Sequence, residues 1–407
     1  MQQLHAHCAG IDVHKDTLAV CVLHGDGKSL VQTFGATSSE ILRLGDWLAQ
    51  QQVSTVAMES TGVYWRPVWN LLEDRFALML VNAQHIKRVP GRKTDVSDCQ
   101  WIAQLLRHGL LTASLVPLRP QRELRDLTRQ RTQFVGDRAR VINRIQKTLE
   151  DANIKLGSVA TDILGKSGRA MLDALVEGKL TADQMAELAL VRMRSKIPQL
   201  KEALTGRFTE HHRFMVRSLL AQIDHIDQQI GSFDQRIEAV MSPSEQAAVE
   251  QLDEVPGFDR RSGQNVIAEI GTDMSRFPSA QHLASWAGLC PGNDESAGKR
   301  RSGRTRHANR WLKAALTQSA WAASRKRDSY FKAQHNRLAA RRGRKRALVA
   351  VAHSLLTVAY YLLRDGVAFK DLGGDYFDRV KPERQARSLV NPLQKMGYKV
   401  TLDREAA

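Results

Sequence analysis

The sequence predicts an α/β amino-terminal domain, then a long helical stretch, then a mostly helical carboxy-terminal domain. Three observations carry this. Short β-type runs alternate with helical patterns through the first hundred residues. Apolar residues then recur near helical spacing from Glu123 to Leu149 and from Gln199 to Met241. Beyond residue 248 the apolar run Leu348 to Leu363 reads as a buried carboxy-terminal helix. A chain of 407 residues suits two or three domains, each able to bury a core.

Strands are expected at Cys8 to Val13, Thr17 to Leu23 and Ser29 to Phe34, with the Asp26-Gly27 pair turning a hairpin between the last two. Ser38 or Ser39 caps a helix over Ile41 to Gln50. A strand from Ser54 to Met58, a helix from Tyr64 to Asp74, a strand from Phe76 to Val81 and a helix through Trp101, Ile102, Leu105 and Leu106 complete the series. This β-β-β-α-β-α-β-α order is that of a ribonuclease H-like domain. Residues 1–115 are expected to form it, 116–247 a helical region, 248–375 the carboxy-terminal domain, and 376–407 a basic and polar tail. Leu124, Leu127, Phe134, Val141, Ile145 and Leu149 on one stretch, and Leu200 through Ile237 on the other, suit an antiparallel coiled-coil arm or an ordinary helical bundle. Residues 157–194 read as a helical insertion between them.

Four acids fall where this pattern brings chain segments together. Asp12 ends Gly10-Ile11-Asp12, Glu59 ends a strand just before Ser60-Thr61-Gly62, and Asp95 and Asp98 lie three apart at the start of a helix. Each alone suits a solvated surface or capping role. Together their repulsion calls for compensation, and Mg2+ supplies it through carboxylate oxygens, water and substrate phosphate, with Mn2+ able to substitute. Such ions activate an attacking oxygen and stabilise a departing one in phosphodiester chemistry.

The segments Gly10-Ile11-Asp12-Val13-His14-Lys15, Glu59-Ser60-Thr61-Gly62-Val63-Tyr64 and Lys93-Thr94-Asp95-Val96-Ser97-Asp98 resemble those of the DEDD insertion-sequence transposases, the IS110 family, to which Piv-type DNA invertases are related. Leu252-Asp253-Glu254-Val255-Pro256-Gly257-Phe258 and Leu283-Ala284-Ser285-Trp286-Ala287-Gly288-Leu289-Cys290-Pro291 resemble its carboxy-terminal transposase domain. The resemblance spans nearly the whole chain. It implies a RuvC-like domain whose metal-binding acids are Asp12, Glu59, Asp95 and Asp98. It implies a serine nucleophile at Ser296, in Asn293-Asp294-Glu295-Ser296-Ala297-Gly298, with Ala297 where glycine is usual and Ser302 as the fallback. It further implies a composite site in which the acids of one subunit meet the serine of another, a homo-oligomer of two to four subunits, donor and target DNA as substrates, and a structured noncoding guide RNA.

Residue chemistry alone reads Ser296 as an ordinary loop serine, since no histidine stands beside it, although His307 is near in sequence. The Val255-Pro256-Gly257 segment also fits a helix-hairpin-helix contact with DNA phosphate, but Asp259 nearby opposes an anion. The formal charge is +17, with pI about 10.0. Cations concentrate at Lys299, Arg300, Arg301 and Arg304 and again at Arg341, Arg342, Arg344, Lys345 and Arg346, with Lys15 and Lys93 beside the acids. A solvated basic face or a nucleic-acid groove accounts for such runs. Trp65, Trp69 and Trp286 lie on apolar faces and are expected in cores. Cys8, Cys21, Cys99 and Cys290 show neither metal spacing nor a disulfide framework. No signal-peptide pattern opens the chain, Leu348 to Leu363 is short for a membrane span, and the cytoplasm is the expected compartment. Two other classes stay open: a metal-dependent junction resolvase or nuclease with an idle serine, and a noncatalytic nucleic-acid-binding factor with structural acids.

Overall fold

The computed structural model describes residues 3–82, 86, 97–292, 294–305, 308–380 and 390–401, with the backbone alone at 294–296, 300 and 301. Asp95, Lys93 and His307 lie outside the described residues. The chain divides into a unit of residues 1–118 and a unit of residues 119–407.

The first unit is a five-stranded mixed sheet with helices on both faces. Strands β1 (Cys8–Val13), β2 (Thr17–Leu23) and β3 (Ser29–Gly35) form an antiparallel meander. Its second turn is tightened by Asp26 Oδ1, which accepts the Lys28 amide at 3.0 Å. Helix α1 (Ser38–Gln50), strand β4 (Thr55–Glu59), helix α2 (Trp65–Leu72), strand β5 (Ala77–Val81) and helix α3 (Asp98–Arg107) follow. The strand order is β3-β2-β1-β4-β5, with β4 parallel to both β1 and β5. Alternation assigns the faces. Ala9, Ile11, Val13, Val20, Val56 and Met58 pack with Ile41, Leu44, Leu48, Val68 and Leu72 of α1 and α2. Cys8, Cys21, Ala57 and Val81 pack with Cys99, Ile102, Ala103 and Leu106 of α3. Burial on both faces is why β1 and β4 read as almost continuous apolar runs.

Helix α3 sits tightly on β1. A Cβ at Gly10 would lie 2.4 Å from both the Ala103 amide nitrogen and the Cys99 carbonyl oxygen. Only glycine permits this approach. It brings the beginning of α3 to the carboxyl end of β1.

In the second unit the long helices α4 (Arg119–Asp151) and, further on, α9 (Glu210–Val240) run antiparallel. The pairs Arg131–Asp234, Phe134–Phe233, Arg138–Asp227 and Asp151–His212 show it, since numbers rise on one helix as they fall on the other. Between them lie α5 (Leu156–Val159), α6 (Lys166–Glu177), α7 (Ala182–Ala186) and α8 (Ile197–Ala203). Met171, Leu172, Leu175 and Leu200 share one buried core with Val141, Ile145 and Leu149 of α4 and Val216, Leu220 and Ile223 of α9. The inserted segment thus closes a helical bundle around the distal half of the pair. The helical pattern from Gln199 to Met241 is not one helix. It breaks after Ala203, where a Cβ at Gly206 would lie 2.5 Å from the Ala152 carbonyl, and restarts at Thr209, whose amide donates to His212 Nδ1 at 3.1 Å. The period hides the break because apolar spacing resumes almost in phase.

The remaining helices are α10 (Pro243–Asp253), α11 (Arg260–Ile270), α12 (Ala280–Trp286), α13 (Arg310–Ala323), α14 (Tyr330–Arg342), α15 (Arg344–Asp365) and α16 (Tyr376–Val380). A two-stranded hairpin, β6 (Asp294–Ser296) and β7 (Lys299–Ser302), stands between α12 and α13. Leu124 of α4 joins Leu252, Val266, Ile270, Leu283, Leu316 and Leu355 in the core of this part. Among the described residues α15 is the one helix long and apolar enough to cross a membrane, and Val351, Ala352, Leu355, Leu356 and Ala359 bury one face of it in this core. Trp65, Trp69 and Trp286 all pack against cores.

Candidate functional site

Two of the four expected acids, Asp12 and Glu59, end adjoining strands, and a third, Asp98, opens the helix packed on that face of the sheet. The parallel pairing of β1 with β4 runs to Ile11 opposite Met58, and one further step along both strands sets Asp12 beside Glu59. By alternation both belong to the α3 face of the sheet, and Asp98 opens α3 itself. Burial pushes the Cys99 thiol pKa up and the Asp12 charge adds to the rise, so Asp12 lies within electrostatic reach of the residue next to Asp98. Gln100 holds this helix start by accepting the Ser97 amide at 3.1 Å. Asp12 Oδ2 stands 3.1 Å from His14 Nε2, and Glu59 Oε1 accepts the Thr61 hydroxyl at 3.0 Å. Lys15 is exposed in the turn that follows β1. The donors are carboxylate oxygens, the type Mg2+ prefers. Among the described residues, though, no three His, Cys, Asp or Glu side chains are gathered closely enough to hold an ion.

Ser296 lies at the end of β6, directly across from Lys299, with Glu295 opposite Arg300. The two-residue turn between them, Ala297 and Gly298, has φ of 51° and 73°. Both residues are left-handed, as the tightest hairpin turn requires, and this is costly for alanine. The hairpin base is closed by a bridge between Pro291 and Thr305 and by the Gly292 amide donating to the Arg304 carbonyl at 2.8 Å. Lys299 and Arg304 are exposed. The Ser302 hydroxyl accepts the Arg304 amide at 3.2 Å. Arg341, Arg342, Arg344, Lys345 and Arg346 are exposed where α14 meets α15 at Gly343, and none pairs with a described acid.

The helix-hairpin-helix contact is not supported. At Gly257 (φ 98°) an added Cβ would lie 2.2 Å from the Ser319 carbonyl, so this glycine serves packing against α13. Asp259 caps α11 by accepting the Ser262 amide at 2.7 Å, which places an acid at the helix start where phosphate would bind.

Sequence reasoning missed a buried network behind the hairpin. Glu269, only 2% exposed, accepts two hydrogen bonds from Arg129 at 2.7 and 2.8 Å and one from Asn309 Nδ2 at 2.6 Å. Asn309 in turn caps α13 by accepting the Trp311 and Leu312 amides, both at 3.1 Å. Arg125, one turn before Arg129 on α4, donates to the Ala268 carbonyl at 2.9 Å, and burial lowers its pKa to about 10. A further buried cation on α4, Arg131, joins Asp234 at 2.8 Å and Gln264 at 2.5 Å. The signal was available: an acid in the apolar run Val266-Ile267-Ala268-Glu269-Ile270, and two arginines four apart on a long helix. The network anchors the start of α13, where the chain leaves the hairpin.

These features describe a mixed-sheet domain with carboxylates at adjoining strand ends and at a helix start, joined in sequence to a helical domain with a basic hairpin. Residues 9–154 match a family of DEDD transposases of IS110 elements, and residues 249–336 match the transposase family of IS116, IS110 and IS902, together more than half of the chain. The chain belongs to the IS110 family of transposases. It is similar to the uncharacterized 42 kDa protein of insertion element IS900 from Mycobacterium paratuberculosis, 28% identical across 72% of this chain and 80% of that one. It is also similar to the 44.8 kDa protein of IS116 from Streptomyces clavuligerus, 26% identical across 88% and 94%. The 43.6 kDa protein of IS110 from Streptomyces coelicolor is 29% identical across 51% of this chain and 50% of its own length. As a transposase the protein is an enzyme acting on DNA.

Proposed function

We propose that this transposase excises and inserts its element by serine attack on DNA, with Ser296 as nucleophile and Asp12, Glu59, Asp95 and Asp98 as a metal-binding quartet on a RuvC-like, ribonuclease H-like domain. The observation that carries the reading is the position of Asp12 and Glu59 at adjoining strand ends, with Asp98 at the start of the helix packed on the same face. Mg2+, or Mn2+ in its place, would be held by these carboxylates and would supply charge neutralisation at the scissile phosphate. Ser296 Oγ attacks phosphorus, a phosphorus–oxygen bond to the sugar breaks, and the departing oxygen takes a proton to leave a free hydroxyl. The phosphoserine link keeps the bond energy for rejoining. Lys299, Arg300, Arg301 and Arg304 are the cations nearest in sequence to stabilise the phosphate charge.

The site is composite, formed between subunits of a homo-oligomer whose long helices assist assembly, and a structured noncoding guide RNA selects donor and target. Incubating the purified protein and its guide with labelled donor DNA and Mg2+, then resolving under denaturing conditions, tests the chemistry. Wild type and Ser302→Ala are expected to carry DNA covalently. Ser296→Ala and Asp12→Asn are expected to lose the adduct by 100-fold or more, on the order of the loss when a nucleophile is removed. An adduct undiminished in Ser296→Ala would refute the nucleophile. Metal-dependent cleavage by wild type without any adduct would favour the junction-resolvase alternative.

A further inference from the structure

The outward face of α13 carries an aromatic and cationic stripe that serine attack and metal binding do not use. Trp321 is 45% exposed, and the Arg325 guanidinium lies 4.7 Å from its ring centroid. Nearer the start of the helix, Trp311 is partly exposed and flanked by Arg310 at 4.7 Å and Arg129 at 5.9 Å. Between them the exposed positions are Ala314 and Gln318, short or neutral side chains that leave the rings unobstructed. At roughly 100° per residue, Arg310, Trp311, Ala314, Gln318 and Trp321 fall within about one third of the helix circumference, and Arg325 follows just past the helix end. The two tryptophans are about 15 Å apart along the axis, the length of roughly four stacked bases.

A single exposed ring is ordinary, but here Trp321 lies in line with Trp311 and against a guanidinium. The exposed residues of the stripe include no acid, buried Glu269 beside Trp311 being paired with Arg129, and Arg325, Lys326 and Arg327 extend it beyond the helix end, all exposed. A ring next to a guanidinium offers a flat surface to a base and a charge to its phosphate at the same time. A duplex keeps its base faces stacked inside and offers only phosphates, so rings would be idle against it.

We propose that the α13 stripe, centred on Trp321 and Arg325 and extending to Trp311, is a stacking platform for a single DNA strand with unpaired bases. DNA is the partner because the family acts on DNA and strand rejoining exposes unpaired strands. The proposal stands on the side chains of α13 and does not require Ser296 to be the nucleophile.

The test measures binding of the full-length protein to fluorescently labelled oligonucleotides: a deoxythymidine 15-mer, a duplex of the same length, and a uridine 15-mer. Trp321→Ala, Trp321→Phe and Arg325→Ala are compared with wild type, with a thermal melt to verify folding. The expected result is a loss of about fivefold or more in affinity for the single DNA strand in Trp321→Ala, most of it restored in Trp321→Phe, with duplex affinity changed less than twofold. An unchanged single-strand affinity, an equal loss on the duplex, or a loss confined to the uridine strand would each overturn it. Labelled strands are preferable to intrinsic fluorescence because the chain has seven tryptophans. The adduct assay is a separate readout: in Trp321→Ala, an intact adduct with weakened strand binding supports the platform, and a missing adduct with unchanged strand binding counts against the platform alone.

Discussion

At the scale of single residues, the site is set by side chains whose surroundings differ sharply. Asp12 keeps some solvent contact beside an exposed His14, whereas Glu269 is sealed among arginines. The second arrangement is a structural anchor: removing Arg129 would leave the buried Glu269 carboxylate without its main partner. Ala297 shows how one residue shifts a loop, since Ser296 can pair with Lys299 only if Ala297 takes a left-handed conformation. His353 supplies a pH-dependent contribution. It lines a cavity with Tyr330, Phe331, Thr357 and Phe369, and burial holds its pKa below the ordinary imidazole value. The unfolded chain therefore takes up this proton first as pH falls below about 6.5, so the stability His353 permits is complete above that pH and declines toward its lower folded pKa. Between pH 7.5 and pH 5.5 the melting temperature is expected to fall more in wild type than in His353→Leu. Equal falls would remove His353 as the cause. The strand ends that carry Asp12 and Glu59 were legible from local pattern, while the partner of Glu269 was not, because Arg129 lies 140 residues away.

At the scale of elements, the decisive packing is α3 on β1. Gly10→Ala is expected to force α3 off the strand, lower stability by about 1–3 kcal/mol, and separate Asp98 from Asp12. Chemical denaturation measures the first effect. The second is read as a weaker rise in melting temperature on adding Mg2+, compared with wild type. If Gly10→Ala melted like wild type and kept the Mg2+ response, the tight approach would not be what assembles the acids. Most strands and helices could be read from period and punctuation, including the Asp-Gly hairpin and the helix through Trp101. The break before α9 could not, because a short interruption that nearly preserves phase leaves the apolar spacing intact. The β6–β7 hairpin was likewise hidden, since its strands are charged and lack the apolar alternation that reveals a half-buried strand.

At the scale of the whole molecule, charge governs the encounter with DNA. The five exposed cations from Arg341 to Arg346 have no described acid to neutralise them, and the chain carries +17 overall. Replacing Arg341, Arg342, Arg344 and Arg346 by Gln is expected to make the dependence of duplex affinity on salt less steep, by about 0.9 in log–log slope for each phosphate that is no longer neutralised. Titrations at several salt concentrations measure this, and an unchanged slope would mean a solvated face without a DNA role. By itself the sequence determined the alternation of strands and helices, the acids that end them and the basic excess, because these depend on local spacing and on residue type, and its motif segments carried the resemblance to transposases. Tertiary structure decided which glycine lets a helix touch the sheet, which acid is an anchor, where the serine falls on its hairpin and which tryptophans face water. Those outcomes depend on packing between residues far apart in the chain, whose partners no local pattern names.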